Sequence, residues 1–523
     1  MSEYSLHTAD WFIIGFYFLF ILQRGFRYIQ RHENAEQYFL AGRKLTWPLI
    51  GLSLFASNMS SSSLVGLAGS GYETGISVFS YEWMAAIVLI IFAIFFLPYY
   101  LRTKIYTLPE FLEKRYDSRV RYYFSGLTVI TNIGIDTAAT LYAGALVIQL
   151  IFPSVELWQS ILVLAVMSGL YTIAGGLTAV VYTDAVQAIL LMTGSVILTI
   201  LAFIKIGSWQ AVTAITPPEH LSIIQPADDS FLPWPGLFTG VLLLGFYFWA
   251  TNQFIVQRAL GAKNIQHGQW GAIFAGFLKL TTLFIMIFPG TMARVLYPDL
   301  AKANLVYPTL LFDLLPVGIL GLVLAGLIAA MMSSIDSALN SASTLVTMDF
   351  YHKWRPESSP EALMWAGRIV TFIFMILAAI WAPQIDKFPT LWEYLQSALS
   401  YICPPIVAVF VLGMFWKRGN GNGAFAAVVV GTGLAVFLLF IPELDLHYLY
   451  VALLLFLVSG LTLISVSLLT HPIAAEKISM VSWSGELFQA ENQQLRKFPF
   501  YKNYRYQAVL LIAVLAVILA FYW

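Results

Sequence analysis

Charge is what this chain has least of. Only 11% of its 523 residues are Asp, Glu, Lys or Arg, against about a quarter in a soluble protein. Hydrophobic residues make up 59%, and the mean hydropathy is +0.77, so an integral membrane protein is expected. The 28 basic and 28 acidic residues cancel, so no bulk field points to nucleic acid or acidic partners. Cys403 is the only cysteine, which excludes an internal disulfide and any cysteine-based metal cluster. The opening MSEYSLHTAD has no basic run before the first apolar segment; no cleaved signal peptide is expected, and the first helix is kept. Walker loops, HExxH and nucleophile elbows are missing, and Gly66, Gly69, Gly71 and Gly75 follow no strand, so they are not a dinucleotide fingerprint. An enzyme is not expected.

What is present is apolar length. Segments long enough to cross a bilayer fall at 9–25, 46–70, 78–100, 122–151, 157–175, 178–204, 233–253, 268–290, 317–347, 364–383, 391–414, 424–441, 448–470 and 506–523. This predicts an all-α membrane protein of about fourteen transmembrane helices. Basic residues gather in alternate connections: Arg24, Arg27, Arg31, Arg43 and Lys44; Arg102, Lys104, Lys114, Arg115, Arg119 and Arg121; Arg258 and Lys263; His352, Lys353 and Arg355; Lys417 and Arg418; Lys477, Arg496, Lys497 and Lys502. Each group follows an odd-numbered segment. The positive-inside rule then makes that side cytoplasmic and puts both termini outside. A plasma-membrane, multi-pass location is expected, and the short, loop-poor chain favours a bacterial inner membrane.

Residues 51–71, GLSLFASNMSSSSLVGLAGSG, have the length of a span but the wrong middle. Serine competes with the helical backbone for hydrogen bonds, and non-helical backbone at that depth survives only inside protein or against a water-filled cavity. Freed carbonyls beside hydroxyls suit a small hard cation. A packing seam of small residues is the alternative, and both readings stay open on these residues alone.

Ionisable groups within spans are costly and mark pathways or sites. Glu82, Asp136, Asp184, Lys279 and Asp336 stand out, each with a structural ion pair as the alternative. In 329–343, AAMMSSIDSALNSAS, the residues Ser333, Asp336, Ser337 and Asn340 recur at i, i+3, i+4 and i+7, with Ser334 beside them. This polar stripe matches the all-oxygen preference of sodium, and a small-residue seam does not account for Asp336.

Taken together, SLFASNMS (53–60), GLAGSGY (66–72), SYEW (80–83), YTLPEFLEKRY (106–116), YTIAGGLTAVVYTDAVQ (171–187), NQFIVQRALGAKN (252–264), GFLKL (276–280), SSIDSALNSASTLVTMDFY (333–351), YLQSALSY (394–401) and PPIVAVFVLGMFWKR (404–418) resemble the sodium/solute symporter family, in its sodium/glucose cotransporter branch. The resemblance spans nearly the whole chain. It implies a leucine-transporter-like core of two inverted five-helix repeats with broken first helices, the solute lying between them near the midplane. The expected parts are 1–45, an extra N-terminal helix and cytoplasmic link; 46–204, the first repeat; 205–232, an extracellular loop; 233–414, the second repeat; and 415–523, additional helices. The second break is expected within 237–257, where Gly245 lies amid aromatics.

By the same resemblance, Na+ would be held by carbonyls of Ala56, Met59 and Ala330 and hydroxyls of Ser333 and Ser334. Asp184, Asp336 and Ser337 are candidates for a second sodium. Asn58, Ser63, Glu82, Lys279, Gln396, Asp136 and Trp249 would meet a sugar or polyol. Leu67, Tyr81 and Trp392 would form the outer gate and Phe248 the inner one. Smaller side chains at Ser63, Ala85 and Gly245, and the missing hydroxyl at Phe248, depart from the sugar carriers. They leave room for a differently shaped polyol. The partners expected are such a solute and the lipid bilayer, with no nucleic acid and no required protein partner. The rival readings are a symporter for an amino acid or organic anion, and a non-transporting sensor, which would be expected to carry a large cytoplasmic domain.

Overall fold

The computed structural model describes residues 6–29, 40–171, 177–440 and 446–523. Arg31, and residues 172–176 at the end of the segment predicted at 157–175, lie outside the described residues. Among the described residues the chain is helical, with no β-strand. Ten helices among the described residues are long and apolar enough to cross a membrane, or eleven if one bent pair counts as a single span.

In chain order, α1 is Thr8–Ile29, α2 Trp47–Asn58, α3 Ser61–Glu73 and α4 Phe79–Ile91. Short α5, Leu108–Arg115, leads into α6, Ser118–Thr131. There follow α7 Leu157–Tyr171, α8 Leu177–Ile206, α9 Gln253–Leu260, α10 Ile265–Leu280, α11 Ile319–Leu345 and α12 Pro360–Trp381. Next come α13 Leu391–Ile402, α14 Pro404–Phe415, α15 Gly421–Leu439, α16 Tyr448–Leu469 and α17 Tyr504–Phe521.

The starts follow from capping chemistry. Asp117 accepts from the backbone N–H of Arg119 at 2.9 Å, and Asn420 from that of Gly423 at 2.9 Å, satisfying amides that a helix start leaves free. Proline bends the pair α13–α14: Pro404 and Pro405 follow Cys403, where the two axes turn by 58°.

The basic connections meet at one end of the molecule. Arg43 donates to the carbonyls of Leu260 at 3.3 Å and Ile105 at 3.2 Å, Arg121 pairs with Asp349 at 2.6 Å, and Arg119 reaches Asn422 at 2.7 Å. Two members of the predicted basic groups are not loop charges. Arg115 is fully buried and donates to the carbonyls of Gly413 (2.7 Å), Gly419 (2.9 Å) and Trp416 (3.0 Å), closing the C-terminal end of α14. Arg258 is buried on α9. Burial in both cases follows from a dedicated set of acceptors. At the opposite end, Lys205 pairs with Asp313 at 2.6 Å and Lys302 with Asp386 at 2.7 Å.

Candidate functional site

The chain leaves the helical path at Met59 (φ −81°, ψ 54°) and Ser60 (φ −81°, ψ 172°). The last bond of α2 runs from the Met59 amide to the Phe55 carbonyl at 2.8 Å, and the first of α3 from the Leu64 amide to the Ser60 carbonyl at 3.1 Å. Between them, the carbonyls of residues 56–59 and the amides of residues 60–63 fall outside the ladder, as at any pair of helix ends. The Ser63 hydroxyl takes the Asn58 carbonyl. Those of Ala56 and Met59 remain free to meet a cation.

The second break lies at Asn252 (φ −71°, ψ 126°), between a π-turn at Tyr247–Thr251 and α9, not at Gly245. The Asn252 side chain accepts from the Phe254 amide at 3.1 Å, capping α9. The Ala250 carbonyl is taken by the Tyr100 hydroxyl at 3.2 Å.

Two adjoining spaces lie against these breaks. The smaller, about 340 Å³, is lined by Ala56, Met59, Ala330, Ser333, Ser334, Asp184 and Ser337, together with Phe254, Arg258 and Gln187. Asp184 is not a free carboxylate. One oxygen accepts from the Ser333 hydroxyl at 3.0 Å; the other accepts from the Ser53 hydroxyl and the Arg258 guanidinium, each at 3.1 Å. The charges of this buried pair offset each other, so the smaller space, bordered by serines among apolar side chains, meets no unpaired charge of Asp184. Asp336 is buried on α11 and lines neither space.

The larger space encloses about 860 Å³ including its mouth. Asn58, Ser63, Glu82, Asp136, Trp249 and Gln396 line it, as do Tyr81, Phe248 and Trp392 of the expected gates. Leu67 is buried and does not reach it, and Ala85 is likewise buried away from it. Gly245 borders it, and a Cβ there would meet only Val88 Cγ2, at 3.4 Å. A Cβ at Gly245 would therefore meet no clash.

Lys279 stands at the edge of the larger space rather than in its wall. Its ammonium pairs with Glu82, donates to the Asn58 side-chain oxygen, and lies 5.4 Å from the Trp249 ring centre and 5.9 Å from that of Phe55. The structural ion pair held open for Lys279 and a carboxylate is thus real, and it also shapes the cavity. Asp136 sits on a π-turn, Asn132–Thr137, the kind of helix distortion frequent at functional sites. Ser57, Phe254 and Ser334 border both spaces.

Phe254, Arg258 and Gln187 were not anticipated as site residues. The signal for the first two was Asn252, a strong N-cap residue interrupting an apolar run, with Phe254 and Arg258 one turn apart behind it.

A family model described as "Sodium:solute symporter family" matches residues 38–431. The chain is 36% identical to sodium/glucose cotransporter 4 of Danio rerio, over 92% of this chain and 82% of that protein. It is 37% identical to sodium/glucose cotransporter 1 of Oryctolagus cuniculus (91% and 81%) and 36% identical to sodium/myo-inositol cotransporter 2 of the same species (92% and 79%). Among solved structures it resembles a Na+-coupled sialic acid symporter in a substrate-bound outward-open state, with a TM-score of 0.76 at 24% identity over 89% of this chain and 99% of that one. It also resembles Mhp1, a nucleobase-cation-symport-1 family transporter, with a TM-score of 0.57 at 11% identity over 86% and 99%. At these identities the two structures speak for the fold.

Proposed function

Because the chain belongs to the sodium:solute symporter family, we propose that it accumulates a neutral sugar or related polyol, a monosaccharide or an inositol, by sodium-coupled alternating access. The observation that carries this reading is the shared wall: a smaller space bordered by Ala56, Met59 and Ser333 and a larger one bordered by Asn58, Glu82 and Gln396 meet at Ser57, Phe254 and Ser334. The leucine-transporter-like fold supplies the rest, with 46–204 and 233–414 as the repeats that rock against each other.

Sodium would bind to the carbonyls of Ala56, Met59 and Ala330 and the hydroxyls of Ser333 and Ser334. It would hold α2 and α3 against α11 and favour the outward-open state by differential binding. Each inward charge contributes about 2.3 kcal/mol per 100 mV of membrane potential, besides its concentration gradient. Loss of sodium to the inside would loosen both helices and release solute past Phe248. The solute would meet Asn58, Ser63, Glu82, Gln396 and Asp136, with the Trp249 face against its apolar side and Lys279 orienting Glu82 and Asn58. Carboxylates and amides offer the alternating acceptors and donors a polyol needs. Leu67, Tyr81 and Trp392 would close the outer side.

An organic acid or sialic acid fits less well. It would call for an arginine clamp; no arginine lines the larger space, and the ammonium of Lys279 is engaged by Glu82. The basic end would be cytoplasmic, with both termini outside, and the loop-poor chain favours a bacterial inner membrane. A second sodium would use Asp184 and Ser337, with Asp336 behind them. Hyperbolic sodium dependence with one charge moved per solute would remove it.

The experiment is uptake into proteoliposomes of glucose, galactose, mannose, N-acetylglucosamine, myo-inositol and proline, with an inward sodium gradient and again with potassium. Sodium-dependent accumulation of one polyol is expected. Accumulation of proline alone would discard the solute assignment, and binding without accumulation would favour a sensor.

A further inference from the structure

We infer that Tyr448, on a helix outside the two proposed repeats, is the post against which the outer gate closes. The inference rests on the reading of Tyr81 and Trp392 as that gate. The Tyr81 ring packs edge-on against Trp392, with centroids 5.7 Å apart and planes at 76°, and both rings border the solute space. The Tyr81 hydroxyl lies 2.7 Å from that of Tyr448, which lies 3.3 Å from the Phe231 carbonyl. A carbonyl can only accept, and a phenol has one proton. Tyr448 therefore donates to Phe231 and accepts from Tyr81, so the relay runs from the gate residue to the loop ahead of the second broken helix.

The post is firmly seated. A Cβ on Gly240 would fall 2.6 Å from the Leu449 Cα, and one on Gly236 2.6 Å from the Leu449 Cδ1. At Gly240, where the clash is with backbone, only glycine lets the first turn of α16 rest directly on the segment at 236–241. The His447 ring stacks on Tyr448 at 4.4 Å with planes 29° apart, limiting where the phenol can turn. A swing of the Tyr81 ring away from Trp392 to open the mouth would also part its hydroxyl from that of Tyr448. A helix that contributes no residue to either space thus biases when solute enters.

The test uses the full chain with Cys403→Ala and a single reporter thiol, Leu395→Cys, in the solute-space wall. Labelling by a membrane-impermeant maleimide is followed in sealed vesicles from the Tyr81 side. Tyr448→Phe keeps the ring and removes the relay. Losing one neutral hydrogen bond corresponds to about a two- to tenfold rise in labelling rate. Tyr81→Phe should give the same rise, and the double variant no more than either alone. A Tyr448→Phe rate equal to the parent's, or a double variant whose rise is the product of the two singles, would overturn the inference. Uptake is scored separately, on the unsubstituted protein. If the labelling pattern is as expected but sodium drives no accumulation, the transport reading fails and the latch stands.

Discussion

Replacing Ser333 by alanine tests the proposed cation site apart from the proposed solute site. Ser333 borders the smaller space and not the larger one, and its hydroxyl donates to Asp184 at 3.0 Å. That bond uses the proton and leaves the oxygen lone pairs to face a cation. A hydrogen-bond-like contact to a charged group contributes about 1.5–3 kcal/mol. At 1.4 kcal/mol per decade, its loss should raise the sodium concentration for half-maximal uptake by about tenfold to a hundredfold. Asp184 keeps Arg258 and Ser53 on its other oxygen, so the fold should survive. Ser333→Thr, which restores the hydroxyl, should return sodium dependence close to the parent's. The assay is solute uptake against sodium in proteoliposomes, paired with solute binding at saturating sodium. The reasoning fails if half-saturation by sodium moves less than threefold, or if solute affinity at saturating sodium falls by the same factor.

Three further outcomes are expected. Glu82→Gln should raise the solute concentration for half-maximal uptake about tenfold or more, through the loss of a charged hydrogen-bond partner, and leave half-saturation by sodium unchanged; uptake kinetics at fixed saturating sodium decide this. Arg258→Gln should lower stability by about 3–5 kcal/mol, because it strands a buried carboxylate, and the double change with Asp184→Asn should recover most of the loss in thermal unfolding of the purified protein. Arg115→Lys should also lower the unfolding temperature, since a single ammonium cannot serve three carbonyls in a fork; an unchanged midpoint would show that those contacts contribute little.

The first break was legible because its serine run is long and out of place in an apolar span. The second was not legible in the residues themselves; it falls at Asn252, within the 237–257 that the family resemblance implied, and its signal was that single cap residue. Arg258 looked like a loop charge, since sequence alone cannot pair it with a carboxylate 74 positions earlier. The same holds for Lys279 and Glu82. Asp336 shows how coarse a spacing rule can be. At 100° per residue, Ala330, Ser333, Ser334 and Ser337 spread over an arc of about 100° that faces the smaller space. Asp336 lies about 60° beyond the edge of that arc, so the i, i+3, i+4, i+7 stripe grouped residues that look in different directions.

The gap between α2 and α3 releases acceptors and donors in the same few peptide units. Ala56 and Met59 border the smaller space, while Ser60, Ser62 and Ser63 border the larger one. A charge that draws the carbonyls together therefore reshapes the solute wall without any relay through distant residues. Thermodynamic linkage is reciprocal: whatever sodium does for solute affinity, solute must do for sodium. With both proposed sites built on one interrupted turn, uncoupled variants should be scarce among substitutions within that turn and commoner in the helices that only support it.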